Sequence, residues 1–144
     1  MISDAHAGKA YPPTDPYTIS SAKIAEFAAA LGDAQNSAYG GDRPIAPPTM
    51  AVVLSSAAWG AMFADPDLDL SLSRTVHTDQ RFVWERPLRA GDTVTAALQI
   101  EKVRARGTTA FITISVRLVS QADQELVCTA TSTLMHTWPA EAVA

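Results

Sequence analysis

Asp33, Asn36, Tyr39, Thr49, His77 and Gln80 are the side chains whose types and surroundings best suit chemistry in this chain. The first three fall three residues apart in Leu31-Gly32-Asp33-Ala34-Gln35-Asn36-Ser37-Ala38-Tyr39. A carboxylate accepts protons and a carboxamide positions. A phenol titrates near pH ~10, so it is a poor base at neutral pH but can donate a hydrogen bond. His77, in Val76-His77-Thr78-Asp79-Gln80, carries the side-chain type that changes charge near neutrality. Thr49 follows Pro47-Pro48 and keeps the N–H that proline lacks. Each also has an ordinary reading. Asp33 after Gly32 suits a turn, Tyr39 a loop aromatic over the core, His77 a strand-end imidazole bonded to backbone, and Thr49 a first-turn residue. His6 and His136 read as structural or exposed.

Other chemistries lack their patterns. The three histidines do not have metal-ligand spacing, and there is no CxxC or HExxH, so no metal is expected. No glycine-rich nucleotide-binding run is present, and no cofactor is expected. Ser55 and Ser56 sit in an apolar helical stretch rather than at a nucleophile elbow. The carboxylates show no helical pairing of the kind a glycosidase dyad needs.

The elements that must carry these residues follow from periodicity. Ser20 suits a helix N-cap, with Ile24, Phe27, Ala28 and Leu31 on one stripe behind it and Gly32 at the end. Gly32 to Pro48 is irregular, and a long irregular stretch in a compact domain is more often functional than accidental. Pro48 suits the first position of a second helix. Met50 to Phe63 leaves that helix almost no polar face, which predicts burial on all sides. Apolar residues then alternate through Phe82 and Trp84; Val94 to Ile100; Ile112 to Leu118; and Leu126 to Leu134. Turn signals between these runs predict half-buried antiparallel strands joined as a meander. A sheet curled around one apolar helix predicts an α+β hotdog architecture. Its uncovered sheet edge predicts a dimer.

The chain has 144 residues, is 47% hydrophobic and carries net charge -4, enough for one domain with a core. The expected boundaries are 8–138 for the domain, with tails at 1–7 and 139–144. Scattered charge leaves no basic footprint for nucleic acid or for a membrane surface, and the longest apolar run is too short to span a bilayer. A single cysteine, Cys128, fits a reducing cytoplasmic location.

The pieces Ala7-Gly8-Lys9-Ala10-Tyr11-Pro12-Pro13, Gly32-Asp33, Ile45-Ala46-Pro47-Pro48-Thr49, Val76 to Phe82 and Arg86-Pro87-Leu88-Arg89-Ala90-Gly91-Asp92 recur in this order in one known group. Through them the chain resembles the MaoC-like N-terminal dehydratase and (R)-hydratase hotdog family. That family includes short subunits of (3R)-hydroxyacyl-ACP dehydratases. The resemblance implies action on an acyl thioester of CoA or acyl carrier protein, in a homodimer or a heterodimer with a related hotdog subunit. Active members carry Gly-Asp-x-Asn-Pro-x-His, whose Asp and His handle the proton transfers of adding or removing water at an enoyl thioester. Asp33 matches the Asp and Asn36 the Asn if Gln35 is inserted; Tyr39 stands where the His belongs. Pro48 replaces a helix-start glycine whose N–H holds the thioester carbonyl, leaving Thr49 to do so. The resemblance thus implies Asp33, His77 and Tyr39 as catalytic, with Asn36, Thr49, Pro48 and Gln80 binding substrate. Three outcomes are compatible with it: a hydratase or dehydratase; a thioesterase, including one coupled to addition of an amine; and a non-catalytic substrate-binding subunit of a heterodimeric dehydratase.

Overall fold

The computed structural model describes residues 1–140. Strand β1 (Tyr17–Thr18) precedes helix α1 (Ser21–Ala30), and the central helix follows as α2 (Ala51–Ser56) and α3 (Trp59–Phe63). Four long strands complete the chain: β2 (Thr75–Trp84), β3 (Thr93–Arg106), β4 (Thr109–Ser120) and β5 (Leu126–Thr137). All pairings are antiparallel, in the order β1-β3-β4-β5-β2. This curled five-stranded sheet against a helix is the expected α+β hotdog architecture.

Local sequence accounts for α1. Ser20 Oγ accepts the Lys23 N–H at 3.0 Å, satisfying a first-turn donor. Ile24 and Ala28 are buried one turn apart, and Gly32 takes φ 76° just past the end. Leu31, expected on the buried stripe, instead points outward because it lies at the helix cap, where the chain turns away from the core.

Met50, Leu54, Ala58 and Met62 recur every fourth residue and bury one face of the central helix against the sheet. The helix is interrupted at residues 57–58. Ser55 and Ser56 each send their hydroxyl back to the carbonyl three residues earlier, at 3.2 and 3.1 Å, which competes with regular helical bonding there. Burial on all sides does not occur. The sheet covers one face, while Val53, Ala57 and Ala61 stay exposed on another.

Strand alternation matches the sequence. Ile112, Ile114, Val116 and Leu118 face inward from β4, with Cys128, Ala130 and Leu134 beside them on β5. The expected meander holds only for β3, β4 and β5. β2 does not lie beside β3 but pairs with β5 at the opposite edge. The connection from β2 to β3 crosses the head of the central helix, where Ala46 N–H donates to Leu88 O at 2.8 Å.

Residues 1–7 are not a loose tail. Ile2 is 2% exposed, and its N–H donates to Leu68 O at 2.8 Å. The following segment runs along the free edge of β3, with bonds from Gly8 N to Ile100 O, Ile100 N to Lys9 O and Tyr11 N to Leu98 O. Lys9 Nζ lies 2.5 Å from Asp65, and Tyr11 donates to Asp65 Oδ2 at 2.7 Å. The Lys9 ammonium first, and then the Tyr11 hydroxyl, hold the Asp65 carboxyl down at about 2. Of the expected C-terminal tail 139–144, residues 141–144 lie outside the described residues. Among the described residues no helix is long and apolar enough to cross a membrane.

Candidate functional site

The turn after α1 brings two of the expected site residues together. Asp33 N–H caps α1 by donating to Ala28 O at 2.9 Å, and Asn36 N–H donates to Asp33 O at 3.1 Å. Asn36 Nδ2 then donates to Asp33 Oδ2 at 3.0 Å, while Asn36 Oδ1 accepts the Ala38 N–H. The Asn36 carboxamide therefore holds the acid on one side and starts the short 3-10 turn Ser37–Tyr39 on the other. Asp33 and Asn36 are exposed, whereas the Tyr39 ring is half-buried against the core. Ile45 N–H donates to Ala38 O at 2.9 Å, which ties this turn to the segment leading into the central helix.

That helix opens with the 3-10 turn Pro48–Met50, capped by Pro47 in an extended conformation. Pro47 and Pro48 have no N–H, so the first donor the helix start can present is the Thr49 amide. Pro48 and Thr49 are exposed, between the buried Pro47 and Met50. Thr49, Val53, Ala57 and Ala61 recur at four-residue spacing, and all four are exposed. The last three line an apolar groove of about 750 Å³ whose opposite wall is Pro12 to Tyr17, with Val94 and Ala96 at its floor.

His77 lies elsewhere. Its ring meets Trp59 edge to face, with centroids 5.2 Å apart and planes at 87°, and its Nε2 lies 3.0 Å from Asp79 O. Trp59 is ten residues beyond Thr49, about 15 Å along a helix. β2 begins beside Trp59 and ends where Trp84 shares a cleft with Pro48. Within the protomer this direction places His77 away from the helix start, where Pro48 and Thr49 lie. Gln80 is engaged too. Its Nε2 donates to Thr131 O at 3.1 Å and Arg81 O at 3.2 Å, and its Oε1 accepts from Ser132 Oγ at 2.7 Å. Its amide thus braces β2 against β5 and has no unengaged end for a ligand.

The other histidines are engaged by other residues. His6 Nδ1 accepts the Ser3 N–H at 3.0 Å. His136 is buried between β2 and Trp138, its centroid 4.6 Å from the indole ring. Thr75 Oγ1 gives its proton to Ser71 O, so His136 Nδ1 must be the donor to Thr75 Oγ1 at 2.8 Å. Its Nε2 is left buried without a partner. Burial pushes this imidazole below its ordinary pKa, with Arg74 adding to the effect and Asp69 opposing it. Burial likewise pushes the Cys128 thiol up to about 11, which removes it as a nucleophile.

Two features escaped the sequence reading. One is the groove beside Val53, since nothing in Pro12-Pro13-Thr14-Asp15-Pro16 says which helix it will lie along. The other is a polar pocket of about 650 Å³ that gathers Arg43, Arg86 and Arg89 from two distant segments.

Residues 5–130 match the family described as the FAS1-like, dehydratase domain region. A UPF0336 protein of Cutibacterium acnes is 55% identical over 138 residues, covering 96% of each chain. Among solved structures, a chain of the C-terminally truncated HadBC (3R)-hydroxyacyl-ACP dehydratase complex of Mycobacterium tuberculosis superposes with TM-score 0.77 at 27% identity, over 90% of this chain and 96% of that one. The (R)-hydratase PhaJ1 of Pseudomonas aeruginosa superposes with TM-score 0.68 at 19% identity, over 92% and 83% respectively, a likeness of fold. On sequence and architecture together, the chain belongs to the FAS1-like dehydratase-region family of hotdog proteins, alongside the actinobacterial UPF0336 proteins.

Proposed function

We propose that this protein is the acyl-thioester-binding subunit of a hydratase or dehydratase assembly, and that a second hotdog subunit supplies the proton-transferring histidine. One observation carries the reading. By its resemblance to the family motif Asp33 takes the acid's place, yet among the described residues of the protomer its carboxylate is bonded by Asn36 and pairs with none of the three histidines. Water addition to an enoyl thioester needs one group to take a proton and another to give one. Asn36, the partner of Asp33, can do neither.

What remains is suited to holding a substrate. Thr49 offers its hydroxyl and amide to a thioester oxygen at the head of the stripe Val53-Ala57-Ala61. The groove along that stripe takes an acyl chain out of water. The thioester would be one of CoA or acyl carrier protein. The similar HadBC protein is described as a complex, in keeping with a two-subunit assembly. Among the described residues no strand pairs with the outer edge of β2, which another sheet could use.

The test separates binding from turnover. The purified chain is expected to bind butyryl-thioesters but to leave crotonyl-CoA unhydrated. Addition of a subunit from the same genome with an intact Gly-Asp-x-Asn-Pro-x-His segment is expected to give hydration. Turnover by the chain alone, abolished in His77→Ala, would replace this reading with that of a self-sufficient enzyme. Hydrolysis of the thioester by the chain alone would replace it with a thioesterase.

A further inference from the structure

We propose that Arg43, Arg86 and Arg89 form a phosphate-recognising pocket that reads the phosphopantetheine arm of the thioester carrier. The proposal rests on the thioester-binding reading above and locates the far end of the same ligand.

Two cavities share Arg86, and one of them reaches the head of the central helix. An apolar cleft of about 270 Å³ is lined by Pro48, Trp84 and Leu88, among others, and by Arg86. The polar pocket of about 650 Å³ is lined by Arg86 again, now with Arg43 and Arg89. Arg86 is therefore the shared wall between a greasy slot at the helix start and a pocket rich in guanidinium groups. The backbone fixes this arrangement. Ala46 N–H donates to Leu88 O at 2.8 Å, Ala90 N–H to Pro44 O at 3.0 Å, and Ile45 bridges Arg89. These bonds hold the segment bearing Arg43 against the one bearing Arg86 and Arg89.

The charges favour an anion. Asp92 also lines the pocket, but its Oδ2 is taken by Arg86 Nη1 at 2.7 Å and by the Arg89 N–H at 2.9 Å. Asp123 lines the pocket too, within reach of the charge of Arg86 and bonded to the Glu125 N–H at 3.0 Å. Among the described residues neither Arg43 nor Arg89 has a carboxylate within ion-pairing distance. Three arginines against two aspartates leave a positive excess here, in a chain whose net charge is -4. Guanidinium groups match phosphate oxygens with paired hydrogen bonds, which an ammonium does not. A phosphopantetheine arm is uncharged along its length and ends in a phosphate. Its thioester end would lie at Pro48 and Thr49, its middle in the apolar cleft and its phosphate in the arginine pocket.

The experiment is calorimetric titration of the full chain, in the assembly in which it purifies, with three saturated ligands. These are butyryl-pantetheine, butyryl-4′-phosphopantetheine and butyryl-CoA. The phosphate is expected to tighten binding about tenfold or more over butyryl-pantetheine. That gain should shrink with added salt and fall to under about twofold in the Arg43→Gln/Arg89→Gln variant. Arg43→Gln alone, at an exposed position, should lose part of the gain with an unchanged melting temperature. A butyryl-CoA affinity equal to that of the phosphopantetheine ligand identifies the carrier protein's phosphate as the natural source. A further gain with CoA that is also lost in the double variant identifies the nucleotide's phosphates. No phosphate gain in the wild type, or a gain untouched by the substitutions, overturns the proposal and leaves the thioester reading standing. No binding of any of the three ligands overturns both.

Discussion

Asn36 Nδ2 donates to Asp33 Oδ2 at 3.0 Å, so the acid is held by a side chain that cannot exchange a proton with it at neutral pH. In the assembly, Asp33→Asn is therefore expected to change turnover by no more than about twofold. Groups engaged in general acid–base catalysis contribute about 10²- to 10⁴-fold. A fall of that size in steady-state hydration would return Asp33 to the proton-transfer step.

The groove gives a second prediction. Ala57 and Ala61 are exposed on its helical wall, so Ala57→Leu and Ala61→Leu add volume there without disturbing the buried face of the helix. Binding of a C12 acyl thioester is expected to weaken about tenfold, the effect of losing roughly two methylene contacts. Binding of a C4 thioester should be unchanged. Equal losses for both lengths in a calorimetric series would move the acyl chain out of this groove.

Asp65 makes the clasp on the N-terminal segment sensitive to acid. Its folded carboxyl is held at about 2 by Lys9 and Tyr11, below its ordinary 3.8. A lowered carboxyl pKa favours the folded state above the unfolded value, and this contribution disappears as pH falls through the folded one. Asp65→Asn should therefore lower the melting temperature at pH 7, and the gap to wild type should close between about pH 4 and pH 2. A gap independent of pH across that window would mean that packing, rather than charge, ties Lys9 and Tyr11 down.

His136 titrates the other end of the sheet. Its folded pKa lies below the unfolded value of 6.5, so the unfolded chain binds the extra proton first. Stability from this group is complete above that value and declines as pH falls below it. The midpoint of urea unfolding is expected to drop on acidification from pH 7 to 5. His136→Phe, which keeps a ring against Trp138, should flatten that slope. An identical slope in wild type and variant would assign the proton uptake to another group.

Much of the fold could be read from pattern because its causes are local. The Ser20 cap, the Gly32 stop and the inward series Ile112, Ile114, Val116 and Leu118 each depend on near neighbours or on strand alternation. The Asp33–Asn36 contact is local too, since both residues share one turn, but the sequence pointed to their separate roles and not to this bond. Other features depend on partners distant in sequence. Gly8 pairs with Ile100, β2 chooses β5 over β3, and Arg43 meets Arg86 across 43 positions. Alternation fixes which face a strand buries but not which neighbour it takes or which way it runs past the helix. The direction of β2 decides where His77 lies, so its position relative to Asp33 could not be read from sequence. The Val53 face shows the same limit: an apolar surface requires a cover, but the pattern does not say whether protein or ligand provides it.

The two rims of the sheet are unequal. Along β3 the strand β1 and the residues around Gly8 and Tyr11 have already claimed the backbone groups, while among the described residues β2 has no strand on its outer side. A sheet with both rims bare can add copies without end; one with a single bare rim can join once and is then finished. The segment around Gly8 and Tyr11 thus acts as a terminator on the β3 side, so that among the described residues sheet extension has one rim left to use.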